Sequence, residues 1–202
     1  MMRIDVTGLR ATIQDRGRFG HLRDGVPPSG PADPSAFAAA QALVGNEAGA
    51  AVIEIVGGPF SFRSDDPRIV AVTGRDVALR GRDLMPGWTA AFARPGETFT
   101  VVCGERSRFA YLAVSGGIAT ETILGSRSAY LPAGIGRPLR AGEALPLVSA
   151  PVDTASLAMS TYCRIALRLS TQLKRTGMPS SAQLSSASAC FAEPPGHPTI
   201  SS

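Results

Sequence analysis

The sequence predicts a mainly β fold, a barrel or sandwich of short strands with one early helix. Three observations lead there. Short runs rich in valine, isoleucine and threonine follow one another from Val52 to Val114, broken by turn residues at a spacing of roughly eight to twelve positions. Glycine (22) and proline (16) are abundant in the 202 residues and aromatics make up only 6%, so long helices have little room. Only one segment ahead of these runs has a strong helical period, which leaves no βα alternation for a doubly wound parallel sheet.

The elements follow in order. Residues 4–6 read as a first strand ended by Gly8. Residues 12–33 carry Asp15, Arg18, His21 and Ser29 among Gly17, Gly20, Gly25 and Gly30. Such a polar, glycine-rich run is expected to be a loop that meets a ligand or partner, not a core strand or core helix. A helix is predicted at about 33–45. Asp33 suits its N-cap, Pro34 its first position, and Gly45 with Asn46 its end, while Phe37, Ala40, Leu43 and Val44 give it one apolar face. Strands are then expected at 52–56, 68–73, 77–79, 88–93, 98–102 and 108–114. Residues 124–128 and 133–137 form a second polar, glycine-rich cluster, and 144–148 a last short apolar run.

After about residue 150 serine dominates and Pro194, Pro195 and Pro198 punctuate the end. Residues 1–150 are read as the folded domain and 151–202 as a partly disordered tail. A tail helix at about 157–175 is suggested by the helical spacing of Met159, Tyr162, Ile165, Ala166, Leu169 and Leu173.

Hydrophobic content of 44% with 18% charged residues marks a globular chain. The formal charge of +4 is spread along it without a basic stripe or aromatic platform, so nucleic acid is not an expected partner. No apolar run approaches the ~18 residues of a membrane span. The start, Met-Met-Arg-Ile-Asp-Val, has no signal-like segment, and a cytoplasmic location is expected. Cys103, Cys163 and Cys190 are isolated from one another and from His21 and His197, so no metal site or disulfide framework is expected. No Gly-x-x-x-x-Gly-Lys-Ser/Thr or Gly-x-Ser-x-Gly motif occurs.

The candidate chemistry sits in the two glycine-rich clusters. Asp15 could serve as general base or substrate orienter, although an aspartate among glycines equally suits a turn. His21 has the titration range for proton transfer. Arg18 could hold a carboxylate or phosphate, or pair with Asp15. Ser29 and Gly30 could offer a hydroxyl and a backbone N–H to a carbonyl oxygen. Ser126, Arg127 and Arg137 could form an anion site with nearby backbone N–H groups, or lie in solvated turns. Glu54, inside Val-Ile-Glu-Ile-Val, is expected on the exposed face of its strand, with arginine its expected partner if it turns inward.

Taken together these residues resemble the biotin-dependent carboxyltransferase family, which includes the C-type component of 5-oxoprolinase and the second component of allophanate hydrolase. The likeness rests on Thr12 with Gln14-Asp15-x-Gly17-Arg18-x-Gly20, Gly25-x-Pro27-x-Ser29-Gly30 and Asp33. It continues through Leu43-Val44-Gly45-Asn46, Glu54, Gly57-Gly58-Pro59, Tyr111–Val114 with Gly116-Gly117, Leu124–Ser128 and Gly136-Arg137. Gln41 departs from the usual asparagine and Ala133 from the usual glycine.

The resemblance implies a cyclophilin-like β-barrel, here only the N-terminal half of the family's length, with a non-family tail. It implies a component of a 5-oxoprolinase assembly, which opens 5-oxoproline to glutamate with ATP. Partner components of the B and A type and a small amide or lactam substrate follow from it; Asp15 and His21, read from residue type above, are the catalytic candidates. Biotin-dependent carboxyl transfer to urea or allophanate, a non-catalytic antagonist of a kinase-inhibitor-like partner, and an inactive truncated product are the alternatives it leaves open.

Overall fold

A computed structural model describes residues 1–149. The tail, including the helix expected at about 157–175, lies outside the described residues. The elements are β1 (Met2–Val6), β2 (Arg10–Gln14), α1 (Pro34–Val44), β3 (Val52–Val56), β4 (Phe60–Ser64), β5 (Arg68–Gly74), β6 (Val77–Arg80), β7 (Leu84–Pro86), β8 (Thr89–Ala93), β9 (Thr98–Cys103), β10 (Ala110–Val114) and β11 (Ala144–Leu145). Among the described residues the fold is mainly β with one α-helix, as the composition predicts. Two antiparallel sheets run in the order β11-β1-β4-β9-β6-β7 and β2-β3-β10-β5-β8.

The core lies between the sheets and is filled by alternate residues. Met2 and Ile4 of β1, Phe60 and Phe62 of β4, and Leu79, Phe99 and Val101 come from the first sheet. They meet Ile13, Ile53, Ile55, Val70, Val72 and Leu112 of the second. Phe62 stacks on Phe99 with ring centroids 6.0 Å apart.

The other face of the second sheet is also buried, because α1 lies against β5 and β10. Thr73 of β5 donates its hydroxyl to Ala36 O of α1 (2.7 Å). The helix starts where Asp33 accepts hydrogen bonds from the Ser35 and Ala36 N–H groups (both 3.0 Å) and ends at Gly45 in the left-handed region (φ 74°).

The two sheets of this β architecture do not close into one continuous ladder among the described residues. The sheets are instead stitched at their open edges. On one side Leu139 N–H donates to Ala11 O and Ala129 N–H to Ile13 O in β2, while Gly142 N–H donates to Ile4 O in β1. On the other, Gly87 N–H donates to Val77 O and Trp88 N–H to Val72 O. Single bonds from loops satisfy the strand edges without a continuous ladder.

Three strands escape the sequence pattern. β4 and β7 fall between the expected runs. β2 extends into the segment expected to be loop, and its residues Ala11 to Gln14 are all buried. Thr12 and Gln14 look like surface residues by type, yet β2 is covered on both faces. Glu54 is corrected for the same reason. It is buried rather than exposed, and its partner is Tyr111 on β10, not an arginine.

Candidate functional site: an arginine-lined cleft at the sheet edge

Beyond Gln14 the chain leaves β2 at Asp15, and the local sequence explains the sharp exit. Gly17 has φ 95°, and a Cβ there would stand 2.5 Å from Pro28 O. Only glycine allows this contact, which lets Arg18 N–H donate to Pro28 O (2.7 Å). Residues 15–18 and 28–30 are thereby locked side by side.

Asp15 joins this loop to the second glycine-rich cluster. Its Oδ1 accepts from Gly17 N–H (2.8 Å), Ser126 Oγ (2.5 Å) and Ser128 Oγ (2.7 Å), and its Oδ2 accepts from Arg127 N–H (2.6 Å). Burial raises its pKa. The hydrogen bonds from Ser126, Arg127, Gly17 and Ser128 outweigh that effect and hold the carboxyl below the usual aspartate range. A carboxylate with both oxygens engaged and its proton affinity lowered is a poor general base and a strong anchor.

The anchored segment begins with a two-residue turn. Ile123 and Ser126 exchange backbone hydrogen bonds (2.8 and 3.2 Å) around Leu124 and Gly125, both at positive φ (52° and 78°). Glycine meets this geometry freely, whereas leucine is strained in it.

A cleft of about 570 Å³ opens beside this turn. Its walls include Arg18, Ile123, Ser126, Arg127, Arg137 and Glu143, with Ile13 among the apolar lining. Arg18 is 2% exposed. Its Nε donates to Ile123 O (3.4 Å) and its Nη2 to Ser128 O. It makes no ion pair with Asp15. Arg127 donates from Nε to Thr120 O (2.6 Å). Arg137 is exposed and grips Glu143 with two bonds (2.5 and 3.0 Å). Burial pushes the Glu143 carboxyl up, but Arg137, the Arg140 N–H and both positive charges bring it below the usual range.

The structure thus gathers Arg18, Ser126, Arg127 and Arg137 at one cleft, with Asp15 directly behind it. It does not bring His21, Ser29 or Gly30 there. His21 is half-buried beside exposed Asp24, with Nδ1 3.6 Å from Asp24 Oδ2. The Ser29 hydroxyl donates to Ala129 O (2.9 Å), and Gly30 packs against Arg16 O. The Ser126 hydroxyl points to Asp15.

A second polar cluster escapes sequence reasoning. Tyr111 donates its hydroxyl to Glu54 Oε2 (2.8 Å), which also accepts from Ala32 N–H (2.8 Å), and Asp33 N–H donates to Tyr111 Oη (2.7 Å). Burial, followed by the nearby carboxylates, drives the phenol well above its usual range against the bond from Asp33. It therefore stays protonated and can donate. Tyr111 and Glu54 are cross-strand neighbours, a relation that only the register reveals.

The sequence pattern of the carboxyltransferase domain, subdomains A and B, matches residues 24–188. This chain belongs to the carboxyltransferase-domain family. The matched span starts after Asp15, Arg18 and His21 and reaches past the described residues. The C-type component of Escherichia coli 5-oxoprolinase is 32% identical over 160 residues, 76% of this chain and 51% of that protein. Saccharomyces cerevisiae urea amidolyase is 33% identical over 155 residues, 72% of this chain and 8% of the larger protein. The chain spans about half the length of the C-type 5-oxoprolinase relatives it matches (51% and 46%).

Among solved structures, TTHA0988 superposes with a TM-score of 0.70 at 29% identity, covering 75% of this chain and 57% of that one. Kluyveromyces lactis urea carboxylase gives 0.66 at 29%, covering 75% and 14%. The carboxyltransferase-domain likeness therefore extends to the fold. The Leu43-Val44-Gly45-Asn46 run that resembles the family has a structural task here. Asn46 donates to Val114 O (2.9 Å) and Gln41 Oε1 (2.9 Å) and accepts from Gly116 N–H (2.7 Å), tying the end of α1 to the end of β10.

Proposed function

We propose that this chain is a C-type component of a 5-oxoprolinase-like assembly, which opens a small lactam to an amino acid at the expense of ATP. The observation that carries this reading is the 32% identity to the C-type component of Escherichia coli 5-oxoprolinase over 160 residues. The arginine-lined cleft supports it, because a lactam that bears a carboxylate needs a cationic contact beside room for a small ring. In this reading Arg18, Arg127 and Arg137 receive the substrate, and Asp15 positions Ser126 to Ser128 without taking a proton. Partner components of the B and A type complete the assembly. They carry the ATP chemistry, in keeping with a sequence that has no phosphate-binding loop motif.

Ring opening breaks the lactam C–N bond. Water supplies the hydroxyl of the new carboxyl group and a proton for the amine, while ATP hydrolysis consumes a second water. The test is reconstitution with cognate partner components, following ATP-dependent glutamate release from 5-oxoproline. Activity that requires this chain supports the reading, and release at the same rate without it overturns it. The 33% identity to urea amidolyase favours one second reading, carboxyl transfer from biotin to urea. It predicts biotin-dependent carboxylation of urea by the same assembly and no glutamate release.

A further inference from the structure

The two open sides of the sandwich are finished differently. At the β2 edge, loops after β10 bring Ala129 N–H to Ile13 O and Leu139 N–H to Ala11 O. The opposite side is formed by β7 and β8, the last strands of the two sheets. There the loop bonds stop at Gly87 and Trp88. Thr89–Ala93 pairs with β5 alone, and its backbone has no other partner among the described residues. Along an outer strand, alternate N–H and C=O groups point away from the sheet. Such edges are usually blunted by charge, proline or a bulge. β7 carries Pro86. β8, Thr-Ala-Ala-Phe-Ala, has no charge and no proline, and its register with β5 is unbroken. Large apolar side chains stand beside it: Leu84 is 60% and Trp88 47% exposed. Trp88 Nε1 donates to Gly74 O (2.8 Å), so the half-exposed indole is held in place.

We propose that β8 is an association edge at which two copies of this chain pair antiparallel about a twofold axis at Ala91. The strand's own sequence selects this occupant. The pairing sets Ala91 against Ala91 of the second copy, Ala90 against Phe92 and Thr89 against Ala93, with Trp88 level with Arg94. The one aromatic within the strand then faces an alanine, and no charge enters the joint. Ala91 and Ala93 lie on the core side, so Ala90 and Phe92 meet on the other face, the one next to α1. Arg94 is exposed, and its guanidinium can lie on the indole of the second copy's Trp88. A strand of unrelated sequence gains the backbone bonds but not this match. Five paired residues per chain make a small joint beside the ~1,200 Å² of a stable interface, so the dimer is weak and reversible. The inference is independent of the lactam reading, because the cleft lies at the β2 edge and β8 at the other end of that sheet.

Sedimentation equilibrium of the full-length chain at about 5–500 µM tests it. The mean mass should rise from the 20.9 kDa of one chain toward twice that value and go no further, since a twofold pair is closed. Ala90→Lys charges the edge and should weaken the dimer about tenfold or more. Leu22→Lys, at an exposed apolar position outside β8, should leave it unchanged. Hydrogen exchange on the parent chain does not depend on a variant folding: the amides of 88–94 should exchange more slowly at high concentration than at low. A chain that stays monomeric over the whole range overturns the proposal, as does growth into larger, polydisperse species. Dimerisation that a folded Ala90→Lys leaves intact, or that Leu22→Lys weakens as much, also overturns it. So does exchange at 88–94 that is the same at every concentration.

Discussion

Arg18 and Arg68 are both buried arginines that grip backbone carbonyls, and they differ in the charge at hand and in what lies beside them. Arg68 donates from Nη1 to Ser115 O (3.0 Å) and Val148 O (2.8 Å), and its Nη2 lies 3.7 Å from Asp66 Oδ2. It pins the chain after β10 to the start of β5 and has a carboxylate at hand. Arg18 also holds two carbonyls but has no carboxylate among the described residues, and it faces a cleft. Neither burial nor an unpartnered nitrogen separates the two, because Arg68 Nε also lacks a partner among the described residues. What sets Arg18 apart is the missing counter-charge and its place on the wall of a cleft.

The largest expected effect concerns the anchor behind Arg18. Asp15→Ala strands four donors, two of them hydroxyls and two backbone N–H groups, and should destabilise the chain by about 3–5 kcal/mol. Urea unfolding followed by circular dichroism measures it. A loss below about 1 kcal/mol would show that water replaces the carboxylate and that the Asp15 network is not the anchor described.

Next come the two arginines in contrast. Arg68→Met should cost about 2–4 kcal/mol, because it leaves the buried Ser115 carbonyl unpaired and removes the link to Val148, with no change in the preference for a carboxylated ligand. Arg18→Met should cost less stability, since it also removes a buried charge with no carboxylate partner among the described residues, yet lose about tenfold or more in acid binding. Equal stability losses with equal binding losses would erase the distinction.

The acid limb of the stability curve tests Asp15 more finely. Its folded-state pKa lies below the unfolded value, so its contribution is present above the unfolded aspartate pKa of about 3.9 and is lost as pH falls through the folded value. The melting temperature of the parent should therefore fall more steeply below about pH 4 than that of Asp15→Asn. Parallel curves would remove the linkage.

The smallest effect is expected at the cleft mouth. Arg137 is largely exposed and its ion pair with Glu143 is screened, so Arg137→Gln should change stability by no more than about 0.5 kcal/mol. A larger loss would make this pair part of the framework.

Much of the fold was legible in local pattern. The caps of α1, the strands β3, β5, β6 and β9, and the loop glycines follow from residue types whose backbone preferences are strong. β2 was not legible, because Thr12 and Gln14 are polar and owe their burial to β3 and the segment that begins at Ala129. The candidate site was half legible. Arg18, Ser126, Arg127 and Arg137 do meet at one cleft, but His21 and Ser29, equally suited by type, do not reach it. Tyr111 was hidden within an apolar strand.

By itself the sequence determined where the chain turns and which segments are extended or helical, because those choices depend on each residue's own backbone freedom and on near neighbours. It also placed two arginine-bearing, glycine-rich segments far apart in order. Only the tertiary structure decided that Asp15 would meet Ser128 across 113 positions, that Glu54 would be enclosed by Tyr111 and Ala32, and that Arg18, part of a cleft wall, would keep a buried nitrogen without a partner among the described residues. Such partners are set by sheet register and by which faces are covered, and neither is encoded within any one segment.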